Sequence, residues 1–386
     1  MRRTSPAGRT RASLRPVDGL TEQQRKFLHQ YGFDAALQRR WQGDLAAGRL
    51  SQAHNVVTGP LLAPPADALA SLPAPGSTAA AELTRLGTEA IARGELGLLV
   101  LNGGMATRFG GVVKGVVPVL GPARSFLGLV VEDVQHWQDR TGGRVPIHLM
   151  NSFATGEATA AHFAAHGHFG LDPTALRPFP QFVALRMTQT GDLFRLANGE
   201  VSPYGPGHGD LTPAFRRAGL LQRFRRDGGR HLLVRNVDNL GARIDPLILG
   251  HHLASRRPVT VELAPKHKGD VGGAPYLYQG RTQLIEGLRF PKGFDPDIVP
   301  VFNTNTLWLD AAAIDRDFEL GWYHVEKSVE GKKAVQVEHL VGELTGHLDT
   351  NFLRVGRSGP ETRFLPVKTP EDLTTIRGEI EAIYGR

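Results

Sequence analysis

The sequence has 386 residues, of which 41% are hydrophobic and 22% charged, an ordinary composition for a globular protein with a sizeable core. It has no cysteine, which excludes disulfides and thiolate metal sites, and no run of about 18 apolar residues, so we expect no membrane-spanning helix. No hydrophobic stretch follows the basic N-terminus, which argues against a secretory signal and predicts a cytoplasmic protein.

The net charge of +7 is concentrated at the N-terminus. Residues 1–16 hold five arginines and no acid, so seven minus five leaves +2 for the rest of the chain. The same segment is rich in Ser, Pro and Gly, and we predict a disordered basic arm over residues 1–16. A nucleic-acid-binding arm is the alternative, but the nearly neutral remainder of the chain favours a solvated tail and no nucleic-acid partner.

The next segment, residues 17–93, is predicted to be helical with a linker. It contains, in order, an amphipathic helical pattern, a Pro/Ala-rich connector and a second helix, at Thr21–Leu50, Ser51–Ser77 and Glu82–Arg93.

In residues 94–386, apolar strands alternate with helices. The predicted strands are Leu96–Leu101, Val145–Met150, Leu232–Val237, Val259–Leu263, Val299–Leu309 and Phe364–Val367. The predicted helices are Phe126–Asp139, Glu157–Ala165, Pro246–Ser255, Gln336–Leu348 and Pro370–Ala382. This alternation predicts an α/β domain with a mixed, mostly parallel sheet flanked by helices. Sheets of this kind hold ligands beyond the carboxyl ends of their strands.

A glycine-rich loop follows the first buried strand, over Leu101–Lys114. Glycines let the backbone approach a ligand closely, and their N–H groups can surround phosphate oxygens. Arg108 and Lys114 add the positive charge that a triphosphate requires. The spacing fits neither a Walker loop nor a G-x-G-x-x-G fingerprint. The loop therefore predicts a nucleotide site of another kind, with a tight turn carrying two surface cations as the alternative.

Two charged residues stand at strand ends. Asp238 follows an apolar strand, where a carboxylate can hold a hard cation, and Asp245 is the better candidate for capping the next helix. Lys368 precedes a run with helix-starting features, and a helix N-terminus favours anions. We therefore expect a phosphate contact for Lys368, with an ion pair to Glu371 or Asp372 as the alternative.

Other polar residues give weaker signals. His208 lies in a turn-rich loop and can donate to a phosphate or ribose oxygen, although a surface histidine is the commoner case. Asn303 and Asn305 suit the hydroxyls of a sugar, but Asn-x-Asn is also common in turns. The remaining histidine groups lack a full set of metal ligands and are predicted to be solvated, namely His162, His166, His168 and the pair His251-His252.

Seven motifs recur together in the order found in one family. They are Leu101–Lys114, Asn151-Ser152-Phe153, Pro206–Asp210, Asn236–Ala242, Gly272-Gly273, Asn303–Asn305 and Arg363–Thr369. In this order they resemble the UDP-sugar pyrophosphorylases, especially the eukaryotic-type UDP-glucose pyrophosphorylases. The resemblance implies a nucleotide-diphospho-sugar transferase fold, which is Rossmann-like and GT-A-like, with residues 94–386 as the nucleotidyltransferase catalytic domain.

The resemblance also implies a reaction. UTP and glucose-1-phosphate would give UDP-glucose and pyrophosphate by in-line attack at the α-phosphate, with Mg²⁺ as cofactor. The alternatives are a UDP-sugar or UDP-N-acetylhexosamine pyrophosphorylase that uses another sugar-1-phosphate, and a non-catalytic sugar-nucleotide sensor.

The site residues follow from the same resemblance. Lys114 is expected at the α-phosphate, Arg108 at the triphosphate, Lys368 at the sugar phosphate and Asp238 at Mg²⁺. The family glutamine that reads the uracil edge matches Gln181. The full nucleotide-binding set is Leu101, Asn102, Gly103, Gly104, Gln181, Gly207 and His208. The expected sugar-binding set is Asn239, Gly273, Glu286, Asn303 and Asn305.

The chain departs from the family pattern at three places. The usual Lys-Gly-Pro-Lys is replaced by Val113-Lys114-Gly115, so Lys114 matches either of the two family lysines. Ala106 stands where a glycine is usual. The sequence stops at Arg386, where eukaryotic-type members continue into a β-helix domain used for oligomerisation, and we expect a monomer or a dimer.

Overall fold

The computed structural model describes residue 17 and residues 19–106, 111–121, 124–267, 269–270 and 272–385. The predicted basic arm and the predicted catalytic residue Arg108 lie outside this part of the chain. None of the helices described is long and apolar enough to cross a membrane.

The described chain forms two compact units. The smaller unit comprises Met1–His54, Val183–Tyr204 and Tyr323–Val337, and the larger unit comprises Asn55–Phe182, Gly205–Trp322 and Glu338–Arg386. These units do not follow the predicted segment boundaries, because residues 55–93 belong with the larger unit and two later segments belong with the smaller one.

The smaller unit combines N-terminal helices with two short hairpins. Its helices are α1 (Glu22–Gln30) and α2 (Ala35–Ala46), followed by α3 (Gln52–Asn55) at the boundary. Its strands are β7 (Ala184–Leu185), β8 (Pro203–Tyr204), β14 (Tyr323–Val329) and β15 (Lys332–Glu338). The buried Gln38 amide of α2 donates to and accepts from the Leu185 backbone, at 3.1 and 3.0 Å.

The larger unit is built on an eight-stranded sheet in the order β1-β16-β10-β13-β9-β2-β5-β6. These strands are β1 (Leu69–Ser71), β2 (Leu96–Asn102), β5 (Ile147–Asn151), β6 (Leu176–Pro180), β9 (His231–Asn236), β10 (Val259–Pro265), β13 (Val301–Asp310) and β16 (Thr350–Arg354). Strand β13 runs antiparallel to both neighbours, and every other pair in the sheet is parallel. The predicted mixed, mostly parallel sheet is confirmed.

Helices and short hairpins surround this sheet. The helices are α4 (Thr78–Ala92), α5 (Phe126–Thr141), α6 (Gly156–Ala165), α7 (Leu211–Arg217), α8 (Leu220–Arg226), α9 (Pro246–Ser255), α10 (Pro370–Thr375) and α11 (Arg377–Tyr384). The additional strands are β3 (Met105–Ala106), β4 (Val112–Val113), β11 (Ala274–Tyr278) and β12 (Arg281–Ile285). Helices α4 and α9 pack closely because Gly87 faces the Pro246 carbonyl and Gly250 faces the Leu83 carbonyl, with no room for a Cβ.

Both faces of the sheet are buried, as the unbroken apolar run of β2 predicts. Leu98 and Val100 belong to one hydrophobic cluster, whereas Leu99 and Leu101 belong to the other. Successive side chains of a strand point to opposite faces, so β2 contributes to both clusters and is held at the centre of the fold.

Two predicted elements are wrong, and a third is helical as predicted but divided in two. Gln336–Leu348 is not a helix: β15 continues to Glu338, and a 3₁₀ turn covers Val341–Gly346. Phe364–Val367 is not a strand, because Pro366 has no backbone N–H and makes a single bridge to Asn239. The last predicted helix breaks at Ile376 into α10 and α11.

Candidate functional site

Three asparagines stand at the carboxyl ends of three neighbouring parallel strands. Asn102 ends β2, Asn151 ends β5 and Asn236 ends β9. Asn102 is fully buried, and its amide donates to the Asn151 side chain at 2.8 Å and to Thr159 at 2.9 Å. These bonds use both N–H groups of the Asn102 amide, so this side chain holds the strand ends together, while its buried Oδ1 accepts no hydrogen bond from the described residues.

The glycine loop leaves the sheet directly after Asn102. Gly103 accepts a hydrogen bond from the Ser152 hydroxyl at 2.9 Å, and Gly104 is exposed. Leu101 lies within β2 with its side chain buried, so only its backbone can serve a ligand. The first turn of the loop is therefore held by the segment that follows β5.

Lys114, the last residue of the glycine loop, lies near the carboxyl end of β9, beside Asp238. It is buried in a 3₁₀ turn over Lys114–Val116, and its Nζ lies 3.6 Å from the Asp238 carboxylate. Burial raises the pKa of Asp238, while the charges of Lys114 and Lys368 oppose that rise. Two predicted catalytic residues, Lys114 and Lys368, thus act on the carboxyl group of the predicted metal ligand Asp238.

Lys368 is placed by backbone pairing between its segment and the Asp238 loop. The Val367 N–H donates to the Asp238 carbonyl at 3.0 Å. The Asp372 carboxylate accepts from the backbone N–H groups of Lys368 and Thr369, at 2.6 and 2.9 Å, and caps α10. The Lys368 side chain is exposed and forms no ion pair with a carboxylate of the described residues, so the alternative of a pair with Glu371 or Asp372 is absent there.

Gln181, Gly207 and His208 meet beside the glycine loop, as a common nucleotide site requires. The Gln181 amide donates to the Gly207 carbonyl at 2.7 Å. His208 accepts at Nδ1 from the Val341 N–H at 2.9 Å, which leaves its Nε2 to carry the proton. Burial lowers the pKa of His208 to about 4, and the neighbouring His339 adds to this effect. His208 is therefore a neutral hydrogen-bond donor at neutral pH.

Four of the predicted sugar-binding residues are brought together. Glu286 accepts from the Gly273 N–H and from the Asn303 amide, both at 3.1 Å. Asn305 adopts a left-handed backbone with φ of 57°, and its amide donates to Asn236 at 3.1 Å. Burial raises the pKa of Glu286, and the bonds from Asn303 and Gly273 oppose the rise. This cluster of residues offers the acceptors and donors that a polyhydroxylated ligand needs.

Asn239 has a different position from the sugar-contacting one that we expect. Its amide nitrogen donates to Thr306 and to the Arg363 carbonyl, at 3.5 and 3.2 Å. Its oxygen accepts from the N–H groups of Gly241 and Leu365, at 3.1 and 2.9 Å. Two donors and two acceptor positions complete the capacity of an amide, so this side chain braces the loop and has none left for a hydroxyl.

Two residues with evident roles have no assignment in the sequence analysis. Asn236 contacts Asn305 at the end of β9. Its position at the carboxyl end of a predicted strand is the sequence feature that could have identified it as a site residue. His339 is buried beneath the His208 loop and bonds Asp210 at 2.7 Å. No local pattern marks His339, because its partner lies 129 residues away.

The prediction that His252 is solvated is wrong. His252 is 1% exposed, and its Nε2 lies 3.1 Å from Asp310, which also bonds His231 at 2.8 Å. His231 is the first residue of β9, so this cluster belongs to the strand end opposite Asn236. Its distances are those of ordinary hydrogen bonds, which account for the arrangement.

The chain matches the family model described as UTP–glucose-1-phosphate uridylyltransferase over residues 72–383. Two curated relatives carry that name: the enzyme of Solanum tuberosum, 31% identical over 301 residues, and that of Hordeum vulgare, also 31% identical over 301 residues. Each of these alignments covers 74% of this chain and 62% of the relative. The chain thus spans less than two thirds of the length of these relatives.

Solved structures share the fold. A UDP-glucose phosphorylase from Trypanosoma brucei superposes with a TM-score of 0.69 and 21% identity, covering 91% of this chain and 77% of that one. A UDP-N-acetylglucosamine pyrophosphorylase from Trypanosoma brucei gives 0.72 and 19%, covering 87% and 75%. The predicted nucleotide-sugar pyrophosphorylase fold is confirmed, and the family match over residues 72–383 shows that the chain belongs to the UTP–glucose-1-phosphate uridylyltransferase family.

Proposed function

We propose that this protein is a uridylyltransferase that forms UDP-glucose and pyrophosphate from UTP and glucose-1-phosphate. The observation that carries the proposal is the meeting of Lys114 and Asp238, 3.6 Å apart, with the charge of Lys368 acting on the same carboxyl. Both substrates are phosphate esters, and a reaction between them needs cations and a metal-binding carboxylate at one point. Family membership supports the same reaction.

The reaction is a displacement at phosphorus. A phosphate oxygen of glucose-1-phosphate forms a bond to the α-phosphorus of UTP, the bond from that phosphorus to the bridging oxygen of the β-phosphate breaks, and pyrophosphate leaves. Such chemistry depends on positioning and charge neutralisation more than on covalent catalysis. We assign Lys114 to the α-phosphate and the leaving group, and Lys368 to the sugar phosphate.

A magnesium ion fits the donor set at Asp238. Mg²⁺ in nucleotide enzymes is commonly held by one or two carboxylates together with substrate phosphates and water. The Asp238 side chain is 31% exposed and lies two residues beyond the end of β9, so one oxygen can face a ligand while Lys114 faces the other side. When bound there, the ion would neutralise charge on the phosphates as the pyrophosphate group leaves.

The remaining site residues are proposed to contact the two ends of UDP-glucose, the nucleoside and the sugar. His208 offers a neutral N–H, and Gln181 offers an amide to the base. On the other side, Glu286, Asn303 and Asn305 provide polar groups for sugar hydroxyls. Glucose is proposed as the sugar because the names of the curated relatives specify glucose-1-phosphate.

One assay tests the proposal and its alternatives. Purified protein is incubated with UTP and a panel of sugar-1-phosphates, with and without Mg²⁺, and pyrophosphate release is measured. We expect release with glucose-1-phosphate that requires Mg²⁺. Release with another sugar alone would replace glucose in the proposal. If no sugar gives release while UDP-glucose still binds, the protein is a sensor and not an enzyme.

A further inference from the structure

The amide of Gln181 is enclosed between two glycines. A Cβ on Gly103 would lie 2.8 Å from the Gln181 Oε1, and a Cβ on Gly205 would lie 2.7 Å from the same atom. The Gln181 backbone is fixed as well, since its N–H donates to the Asn151 carbonyl at 2.7 Å. The side chain is thus confined at the edge of the candidate nucleotide site.

The direction of this amide is determined by its neighbour. The Gly207 carbonyl can only accept, so the amide nitrogen of Gln181 must be the group that faces it at 2.7 Å. Oε1 therefore points the other way, toward Gly103 and Gly205, and accepts no hydrogen bond from the described residues. An amide held this way presents an acceptor to a ligand and keeps its donor for the protein.

The loop that contains Gly207 is in turn held by the backbone of His339. The loop around Gly207 pairs with the His339 backbone twice: the His339 N–H donates to Pro206 at 2.9 Å, and the Gly209 N–H donates to the His339 carbonyl at 3.0 Å. Gly207 has a φ of 102°, and a Cβ there would lie 2.4 Å from the His339 carbonyl oxygen. The loop thus wraps tightly around one residue.

Asp210 fixes the ring of that residue. The His339 Nε2 lies 2.7 Å from Asp210 Oδ1, and the two residues are 6% and 0% exposed. Trp322 stacks on the other side of the ring, with centroids 4.0 Å apart and planes at 17°. Burial raises the pKa of Asp210, and contacts from His339 and Gln181 favour its ionised form. The Asp210 N–H donates to the Gly207 carbonyl at 3.3 Å, and this carbonyl is the group that accepts from the Gln181 amide. Asp210 therefore links the histidine ring to the turn that holds the amide.

We propose that the buried Asp210–His339 pair is a positioning device that holds the Gln181 amide with its oxygen toward the nucleobase and thereby selects bases with an N–H at that edge. Uracil presents N3–H there, whereas cytosine presents an unprotonated N3. An acceptor facing an acceptor is repulsive, and turning the amide would break the bond to Gly207. The inference rests on the proposed function, and it adds two residues that touch neither substrate nor metal.

The test compares kcat/KM for UTP and CTP at a fixed concentration of glucose-1-phosphate. In His339→Ala and Asp210→Ala we expect the UTP-to-CTP preference to fall about ten-fold, the usual effect of losing a buried hydrogen bond. The change should appear in KM for the nucleotide, with kcat for UTP nearly unchanged. His339→Gln, whose amide N–H can still reach Asp210, should restore part of the preference.

A matched control is available in the other buried histidine–aspartate pair. His252→Ala removes a buried histidine that bonds Asp310 at 3.1 Å, at the opposite end of β9 and far along the chain from the base-facing loop. This variant should lose stability without changing the UTP-to-CTP ratio. Thermal melts of all variants identify those that fold.

Binding of UMP and CMP, measured by calorimetry, separates this inference from the proposed function. If the wild type prefers UMP and the preference falls in a folded His339→Ala variant, the inference stands even when no pyrophosphate is released. An active wild type that uses UTP and CTP equally would overturn the inference and leave the proposed function intact. An unchanged preference in folded variants of both Asp210 and His339 overturns it as well.

Discussion

The Lys114 ammonium lies 3.6 Å from the Asp238 carboxylate at the carboxyl ends of β2 and β9. The lysine is buried and the aspartate is partly exposed, so the cation is held from the protein side and the carboxylate faces the ligand side. Lys114 also lies 6.0 Å from the centre of the Phe126 ring. A cation held in this way needs little reorganisation when a phosphate arrives.

Replacing Lys114 by alanine should lower kcat about 100- to 1000-fold, which is the usual effect of removing one preorganised charge contact. Steady-state pyrophosphate release measures this. Lys333→Ala is the control, because that lysine is 74% exposed and pairs with Glu326 in the smaller unit. If the folded Lys114→Ala variant turned over at the wild-type rate, Lys114 would have no catalytic role.

Asp238→Asn should raise the Mg²⁺ concentration needed for half-maximal activity at least about ten-fold, because a neutral amide is a weaker ligand for a hard cation. A titration of pyrophosphate release against Mg²⁺ checks this result. Asp245→Asn is the matched control, since Asp245 caps α9 through the N–H groups of Leu247 and Ile248. An unshifted Mg²⁺ curve for Asp238→Asn would contradict the metal assignment.

Lys368→Ala should also reduce turnover about 100- to 1000-fold, since its charge is proposed to act on the sugar phosphate in the transition state. The side chain is exposed and forms no ion pair with the described carboxylates, so stability should change little. Lys368→Arg, which keeps the charge, should retain more activity than the alanine variant. Equal loss in both variants would argue for a role other than charge.

Glu262→Gln should destabilise the larger unit by about 3–5 kcal/mol, because it leaves a buried guanidinium without its counter-charge. Glu262 is fully buried, and its oxygens accept from Arg363 at 2.7 and 2.8 Å and from Trp308 at 2.8 Å. Urea denaturation gives the change in unfolding free energy. Glu22→Gln is the control, because its ion pair with Lys26 is highly exposed, and its effect should stay below about 1 kcal/mol.

His148 should make the protein sensitive to acid. Burial lowers its pKa to about 3, with smaller contributions from Arg177 and Arg223, and neither ring nitrogen has a hydrogen-bond partner among the described residues. Its ring packs against Phe215 and Phe224, with centroids 4.7 and 5.6 Å away. In the unfolded chain His148 binds a proton with a pKa near 6.5, whereas in the folded chain it stays neutral until the pH approaches 3. Protonation therefore favours the unfolded state, and stability is lost as the pH falls from 6.5 toward 3.

His148→Leu removes this proton linkage. Between pH 6.5 and 4.5 the wild type should lose about 2–3 kcal/mol more stability than the variant. Urea denaturation at several pH values measures the difference, with His136→Leu as a control at an exposed histidine of α5. Parallel pH curves for wild type and His148→Leu would show that His148 does not contribute.

Much of the fold is readable in local patterns. The unbroken apolar run of β2 predicts a strand buried on both faces, and its residues do enter both hydrophobic clusters. Helix α9 begins and ends where the Asp245-Pro246 start signal and the last apolar residues place it. Both features depend on neighbours within a few residues, so they can be found without knowing the rest of the fold.

The wrong helix prediction at Gln336–Leu348 shows a segment whose conformation local sequence patterns do not predict. The segment starts within β15, which pairs with β14, and the Met187 backbone also bonds Val335 at 3.0 and 2.8 Å. Partners almost 150 residues apart therefore decide its conformation. Helical spacing of apolar residues is a weak guide when the hydrogen bonds of a strand come from such distant segments.

The sequence by itself determined the family, the parallel sheet and the strand ends at which Lys114 and Asp238 stand, because these depend on ordered motifs and local periodicity. Only the tertiary structure decided how the side chains there are used. It assigned the Asn239 amide to bracing a loop, buried His252, and placed the His339 ring against Asp210. These outcomes depend largely on hydrogen-bond partners that are distant in sequence, and folding alone brings them within hydrogen-bonding distance of each other.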